Sequence, residues 1–181
     1  MTETTLQGKT IAFLVAAEGI EQVELTEPWK AVEQAGGTPK LLSPEPGKVQ
    51  AFHHLDRADT FSVDVPVSEA RPEEYDALVL PGGVANPDAL RTDTAAMGFV
   101  KAFVESGKPV AAICHAPWSL AEAGVLQGRT LTSWPSLQTD LRNAGATWVD
   151  EEVVVDGNLV TSRNPHDLPA FNAKLVELAG R

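Results

Sequence analysis

Three short, almost unbroken apolar runs constrain this chain more than any other feature: Lys9 to Ala17, Tyr75 to Leu80 and Pro109 to Ile113. Each is too short for a buried helix and lacks the polar alternation of a half-exposed strand. Runs of this kind read as strands covered on both faces, the situation inside a parallel sheet packed between helices. Helical patterns fall between them. One passes through Leu25, Trp29, Val32 and Ala35 to a stop at Gly36-Gly37, and Pro28 is expected near its start, where a missing N–H costs least. Others are expected over 94–106, 115–124, 136–144 and 168–179.

Further strands are expected at 38–43, 129–132, 153–155 and 159–161, the last two joined as a hairpin through Asp156-Gly157-Asn158. Val49 to Phe52 and Thr60 to Val65 read as arms of another small hairpin. His53-His54-Leu55-Asp56-Arg57-Ala58-Asp59 would be its solvated loop rather than a metal site, because adjacent histidines on a strand diverge. The expected architecture is an α/β fold with a doubly wound, mostly parallel sheet, helices on both faces and small accessory hairpins. Residues 1–181 show no internal repeat or linker and are expected to form one domain.

Composition narrows the function classes. The net charge is −11, with scattered Lys and Arg, so no basic surface for nucleic acid is expected. No apolar run reaches membrane-spanning length, and the polar stretch from Met1 to Lys9 lacks a signal peptide's layout, which makes the cytoplasm the expected location. A single cysteine excludes an internal disulfide and a Cys-rich zinc site. No metal or cofactor is expected.

That cysteine, Cys114, directly follows the most apolar strand and precedes a helical pattern. A lone Cys can be a small buried hydrophobe. At a strand-to-helix elbow it can instead be lifted from the sheet as a nucleophile, its thiolate favoured by the helix N-terminus. Ligands in open α/β sheets bind beyond the carboxyl ends of strands. Glu18 to Glu24, Pro81-Gly82-Gly83 and Cys114-His115 all stand at such ends. Glycines there let N–H groups face a developing oxyanion, and a carboxyl from Glu21 or Glu24 against the thiol would share a proton with it. Successive residues at a helix start project about 100° apart, so His115 is expected to face away from Cys114.

Ala111-Ala-Ile-Cys-His-Ala-Pro117, Leu78-Val-Leu-Pro-Gly-Gly83, Glu18 to Pro28, and the stretches 151–158 and 161–168 together resemble the PfpI family of the class I glutamine amidotransferase-like superfamily. The resemblance implies a flavodoxin-like fold and a homodimer or larger homo-oligomer with its site near a subunit interface. It implies Cys114 as nucleophile, Glu24 as its carboxyl partner and Glu21 as a second acid close by. The N–H groups of Gly83 and His115 would donate to the oxyanion, with Gly82 beside them. His115 matches the histidine of the protease branch, and Asp88 is the nearest match to the acid that completes its triad across subunits. Trp134 stands where archaeal protease-like members carry Tyr, and an indole has no useful proton to give. His166 and Asp167 precede the last helix, the first as a pocket candidate and the second as a helix cap.

The implied activity is stress-protective chemistry on small carbonyl compounds, of the glyoxalase or protein deglycase kind. Peptide hydrolysis through Cys114 and His115 is a second possibility. A non-enzymatic redox sensor or chaperone acting through Cys114 oxidation is the third.

Overall fold

The structure is a computed structural model that describes residues 5–181. Part of the polar opening stretch, residues 1–4, lies outside the described residues. Along the chain come β1 (Thr10–Leu14), β2 (Glu18–Glu21), α1 (Gln22–Gln34), β3 (Thr38–Ser43), β4 (Lys48–His53), β5 (Asp56–Ser62), β6 (Val65–Pro66) and β7 (Ala77–Leu80). Next follow α2 (Ala85–Leu90), α3 (Thr94–Glu105), β8 (Val110–Ile113), α4 (Pro117–Glu122) and β9 (Thr130–Leu131). The chain closes with α5 (Gln138–Asn143), β10 (Thr147–Trp148), β11 (Val154–Asp156), β12 (Leu159–Ser162) and α6 (Leu168–Ala179).

The main sheet has seven strands in the order β11-β12-β8-β7-β1-β3-β6, parallel throughout except for β11 against β12. Its five central strands, β3-β1-β7-β8-β12, follow the doubly wound order of flavodoxin-like folds, with the switch point between β1 and β7. The three apolar runs become its centre because both faces are used. On β1, Ala12 and Leu14 face a core completed by Phe99, Val100 and Phe103 of α3, while Ile11 and Phe13 face a second core built on α1 and α6. The same alternation holds for Leu78 and Leu80 against Ala77 and Val79 on β7. Period-two geometry thus turns an unbroken apolar run into two hydrophobic layers.

Several boundaries differ from the sequence expectation, each for a local reason. The accessory hairpin turns in two residues: His53 pairs with Asp56, leaving only His54 and Leu55 at the tip. His54 takes a left-handed φ of 59°, which supplies the tight reversal that the Asp- and His-rich stretch had suggested would be a longer loop. Val65 leaves that hairpin and pairs with β3 instead. Between β1 and α1, the segment β2 pairs parallel with β4, making a separate three-stranded sheet. Pro28 is the seventh residue of α1 rather than an opening one, so the Glu24 carbonyl loses its usual i+4 partner. The short helix α2 was masked in the sequence by Asn86-Pro87, which tolerates a helix because the proline falls in its first turn. The helix after Cys114 starts only at Pro117. The helix expected over 136–144 is split into a 3-10 turn, Pro135–Leu137, and α5.

No helix of the described residues is long and apolar enough to cross a membrane. Phe171 of α6 is completely buried against the sheet. Replacing it with alanine is expected to cost about 3–5 kcal/mol, seen as a lower urea midpoint at unchanged m-value.

Candidate active site

The carboxyl ends of β1, β7 and β8 place β2, the Gly82-Gly83 turn and Cys114 around one crevice. Cys114 has φ of 63°, a left-handed conformation that costs a non-glycine residue on the order of 1–2 kcal/mol. Its backbone is held there from both sides. The Cys114 N–H donates to the Ser162 carbonyl at 3.1 Å, and its own carbonyl accepts from the Trp134 N–H at 2.8 Å. The elbow is therefore imposed by β12 and by the segment after β9.

Opposite the thiol, the chain is packed backbone against backbone. A Cβ on Gly82 would run into Glu24 Oε1 and come within 2.7 Å of the Ile113 carbonyl and 2.8 Å of the Cys114 Cβ. Gly83, at φ of 83°, lies so close to Gly19 and Glu21 that any side chain would strike the Gly19 carbonyl. Gly19, at φ of 91°, presses in turn on Ala85 and Asn86, where a Cβ would sit 2.6 Å from the Ala85 Cβ. Asn86, which sequence reasoning missed, fastens this junction. Its amide nitrogen donates to the carbonyls of Pro81 and Gly82, and its oxygen accepts from the Ala16 N–H at 2.7 Å. No sequence pattern marks Asn86, and only its place in α2 reveals its inward aim.

Glu24, in the first turn of α1, is completely buried beneath this junction. Its Oε1 accepts from the Gly83 N–H at 3.1 Å, and Oε2 has no hydrogen-bond partner. Burial first, and the charge of Glu21 second, push the Glu24 carboxyl up to about 8. It is therefore mostly protonated at pH 7. Cys114 is the neighbouring protic group, and the two interact directly.

The Cys114 thiol itself is pushed upward, by burial first and by the Glu24 charge second. This corrects the expectation of a thiolate favoured by a helix N-terminus. The helix begins three residues later, at a proline with no N–H to offer. Two backbone groups work the other way, since the N–H groups of Gly83 and His115 both reach the sulfur and favour its anion. A proton on Glu24 also removes the electrostatic part of the penalty on the thiol. The pair shares its protons as a unit.

His115 overturns another expectation. Its Nδ1 lies 3.1 Å from Cys114 Sγ, because the left-handed turn at Cys114 replaces the helical spacing that would have separated them. The imidazole is stacked on Trp134 with centroids 5.7 Å apart and meets Trp118 edge-on at 5.3 Å. Burial pushes it down to about 4, so it is neutral at pH 7.

Above these groups lies a pocket of about 340 Å³ with mostly apolar walls, among them Phe52, Leu55, Val84, Trp134 and Pro165. Cys114, His115, Glu21, Glu24 and Gly83 all line it, as the sequence suggested. Trp134 does so too, while three candidates do not, Gly82 lying against Glu24 outside the lining. Asp88 is exposed on α2 and His166 is exposed before α6, with Pro165 taking the place at the wall. Asp167 makes no side-chain cap; its buried carboxylate instead accepts from the Arg163 backbone and guanidinium at 2.9–3.0 Å. The hairpin tip is a wall that the sequence did not foretell: the His54 N–H donates to Glu21 Oε2 at 3.0 Å. No group of His, Cys, Asp and Glu suited to a metal ion occurs among the described residues.

A doubly wound α/β sheet with a strained cysteine elbow over a buried carboxyl defines the class of protein. More particularly, the chain belongs to the DJ-1/PfpI family, whose model matches residues 9–178. It is 44% identical over 165 residues to Deglycase TK1284 of Thermococcus kodakarensis, covering 91% of this chain and 96% of that protein. It is 43% identical to a cysteine-protease candidate of Bacillus subtilis, YraA, over 94% of this chain and 98% of that protein. Among solved structures, DJ-1beta of Drosophila melanogaster superposes with a TM-score of 0.85 at 30% identity, covering 96% of this chain and 91% of the other.

The raised Glu24 carboxyl has a consequence for stability. A carboxyl lifted on folding stabilises the native state fully below its ordinary value of 4.5, and that contribution is lost as pH rises through about 8. The loss amounts to roughly 3–5 kcal/mol. Glu24→Gln, which cannot ionise, is expected to flatten the pH dependence of unfolding between pH 5 and 8.5, as read from urea midpoints.

Proposed function

We propose that this protein is a cysteine-dependent enzyme acting on small reactive carbonyl compounds, 2-oxoaldehydes such as methylglyoxal and their early adducts with amino groups. The observation that carries this reading is a buried carboxyl, able to exchange protons near neutral pH, set against Cys114 at the floor of a small, largely apolar pocket. The pocket volume is at the lower end for ligand sites, which suits a molecule of a few heavy atoms.

In the proposed reaction Cys114 Sγ attacks the aldehyde carbon of methylglyoxal. The carbonyl electron pair moves to oxygen, which takes the thiol proton by way of Glu24 and gives a hemithioacetal. In this reading the N–H groups of Gly83 and His115, which favour the Cys114 anion at rest, are the groups that would turn to the developing oxyanion. Glu24 in its ionised form, populated as pH approaches 8, then removes the proton on that carbon and returns it to the adjacent carbonyl carbon through an enediol, leaving a thioester. Water hydrolyses the thioester, releasing lactate and restoring the thiol. One water is consumed, and no external oxidant or reductant is required. A carboxyl near 8 suits this traffic, because an acid–base group works best when its pKa lies close to the operating pH.

Peptide hydrolysis is the second reading. It draws on the 3.1 Å contact between Cys114 Sγ and His115 Nδ1 and on the name carried by YraA. A neutral imidazole pushed down to about 4 is a poor base for a thiol, which weighs against it.

Lactate formation from methylglyoxal tests the proposal directly. The wild type is expected to produce it, and Cys114→Ala to lose about 1,000-fold or more in kcat/KM; equal rates would sink the reading. The wild-type kcat/KM is expected to rise with pH to a midpoint near 8, as the pair gives up its first proton. Glu24→Gln is expected to lose lactate formation across the whole range, because the amide can neither accept nor pass on the proton.

A further inference from the structure

The polar groups of the pocket are one-sided in charge. Glu21 and Glu24 both line it, and the only basic side chains at its wall are two histidines, His54 and His115. No Lys or Arg stands among the described residues of its lining. Glu24 can be silenced by its own proton, but Glu21 is built differently. Its side chain is mostly shielded, with 14% of its surface exposed, and it is fixed in place rather than swinging into solvent. The Glu21 N–H reaches the Gly82 carbonyl, and its Oε2 takes the His54 N–H at the hairpin tip. The His54 ring stays 4.0 Å from that oxygen and is largely in solvent, so it does not cover the charge. The result is a carboxylate held in the wall of the same pocket as the sulfur, among apolar side chains that screen it poorly.

We propose that Glu21 acts as a charge filter for Cys114, admitting neutral or cationic carbonyl compounds and repelling those that carry a carboxylate or phosphate. This rests on the preceding assignment of Cys114 as the reacting atom and sharpens its substrate class. Uncharged 2-oxoaldehydes and adducts on amino groups pass, whereas glyoxylate and phosphorylated aldehydes are excluded. Glu21 is thereby a specificity-determining residue. It enters no bond-making step, and its influence falls on any anion that approaches the thiol, substrate or not.

The single cysteine makes the test clean, because alkylation is read at the one peptide that carries Cys114. Rates of alkylation by neutral iodoacetamide and by anionic iodoacetate are measured on the folded protein and on the same chain unfolded in urea. The folded wild type is expected to favour iodoacetamide over iodoacetate about tenfold more strongly than the unfolded chain does. Glu21→Gln keeps an acceptor for the His54 N–H and is expected to narrow that preference about fivefold, the size of one poorly screened charge across such a pocket. Using the ratio cancels any change in the thiolate fraction, which affects both reagents alike. Glu18→Gln removes an exposed carboxylate on the same strand, outside the pocket lining, and is expected to leave the ratio at its wild-type value.

An unchanged ratio in Glu21→Gln would overturn the filter, and so would an equal narrowing in Glu18→Gln, which would point to net charge alone. Failure of both reagents to reach the folded protein would overturn it as well, because the filter requires neutral molecules to enter. Turnover with methylglyoxal separates the two proposals. Lactate formation with an unmoved ratio removes the filter and leaves the carbonyl chemistry. A ratio that behaves as expected without lactate formation does the reverse.

Discussion

The site depends on one expensive arrangement, a carboxyl side chain buried completely beneath a cysteine. An ionised carboxylate in that position would demand compensation that the surroundings do not supply, since only Oε1 is hydrogen-bonded by the backbone. The protein accepts a protonated acid instead, and the geometry of three strand ends follows. Gly82 must lack a side chain to leave room for Glu24, and Gly83 and Gly19 must lack them so that β2 can press against the turn after β7. Asn86 ties the two together from below. The left-handed elbow at Cys114, fixed from β12 and from Trp134, then lowers the sulfur onto this floor.

Much of the frame was legible in the chain because it follows from periodicity. The apolar runs at β1, β7 and β8, the strand at Thr38–Ser43 and the closing helix at Leu168–Ala179 all announce themselves through residues that repeat on one or both faces. The three stretches Glu18 to Glu24, Pro81 to Gly83 and Cys114-His115 were legible as strand ends, where ligand sites of open sheets gather, while the choice of Glu24 over Glu21 came from the family resemblance. The remainder depends on contacts distant in sequence. The hairpin tip becomes a pocket wall only through the pairing of β2 with β4, which no local pattern in Glu18 to Glu21 discloses. Asp167 looked like a cap and is an ion-pair partner of Arg163, a choice made by the tertiary position of that arginine.

His115 shows how a sound local rule can mislead. Adjacent helical residues do diverge, but Cys114 and His115 are not helical neighbours; a positive φ lies at the first and the helix starts beyond the second. The imidazole then rests between Trp118 and Trp134 as a neutral, buried ring in touch with the sulfur. The same burial that brings it close also deprives it of basicity. Proximity and proton affinity are separate properties of a site: both His115 and Glu24 touch the thiol, and only Glu24 can hold a proton near neutral pH.

The two-residue turn at His54-Leu55 has a further meaning. The floor of the pocket is made of backbone packed on backbone and tolerates almost no variation, whereas the rim is assembled from the tip of an accessory sheet, Val84 and Trp134, with Leu55 almost free of neighbours and Val84 more than half exposed. Changes at that rim leave the strand ends and the proton-sharing pair untouched. A lineage carrying this scaffold can therefore exchange one molecular clientele for another by redrawing a few surface side chains, keeping the reactive machinery as an inherited constant.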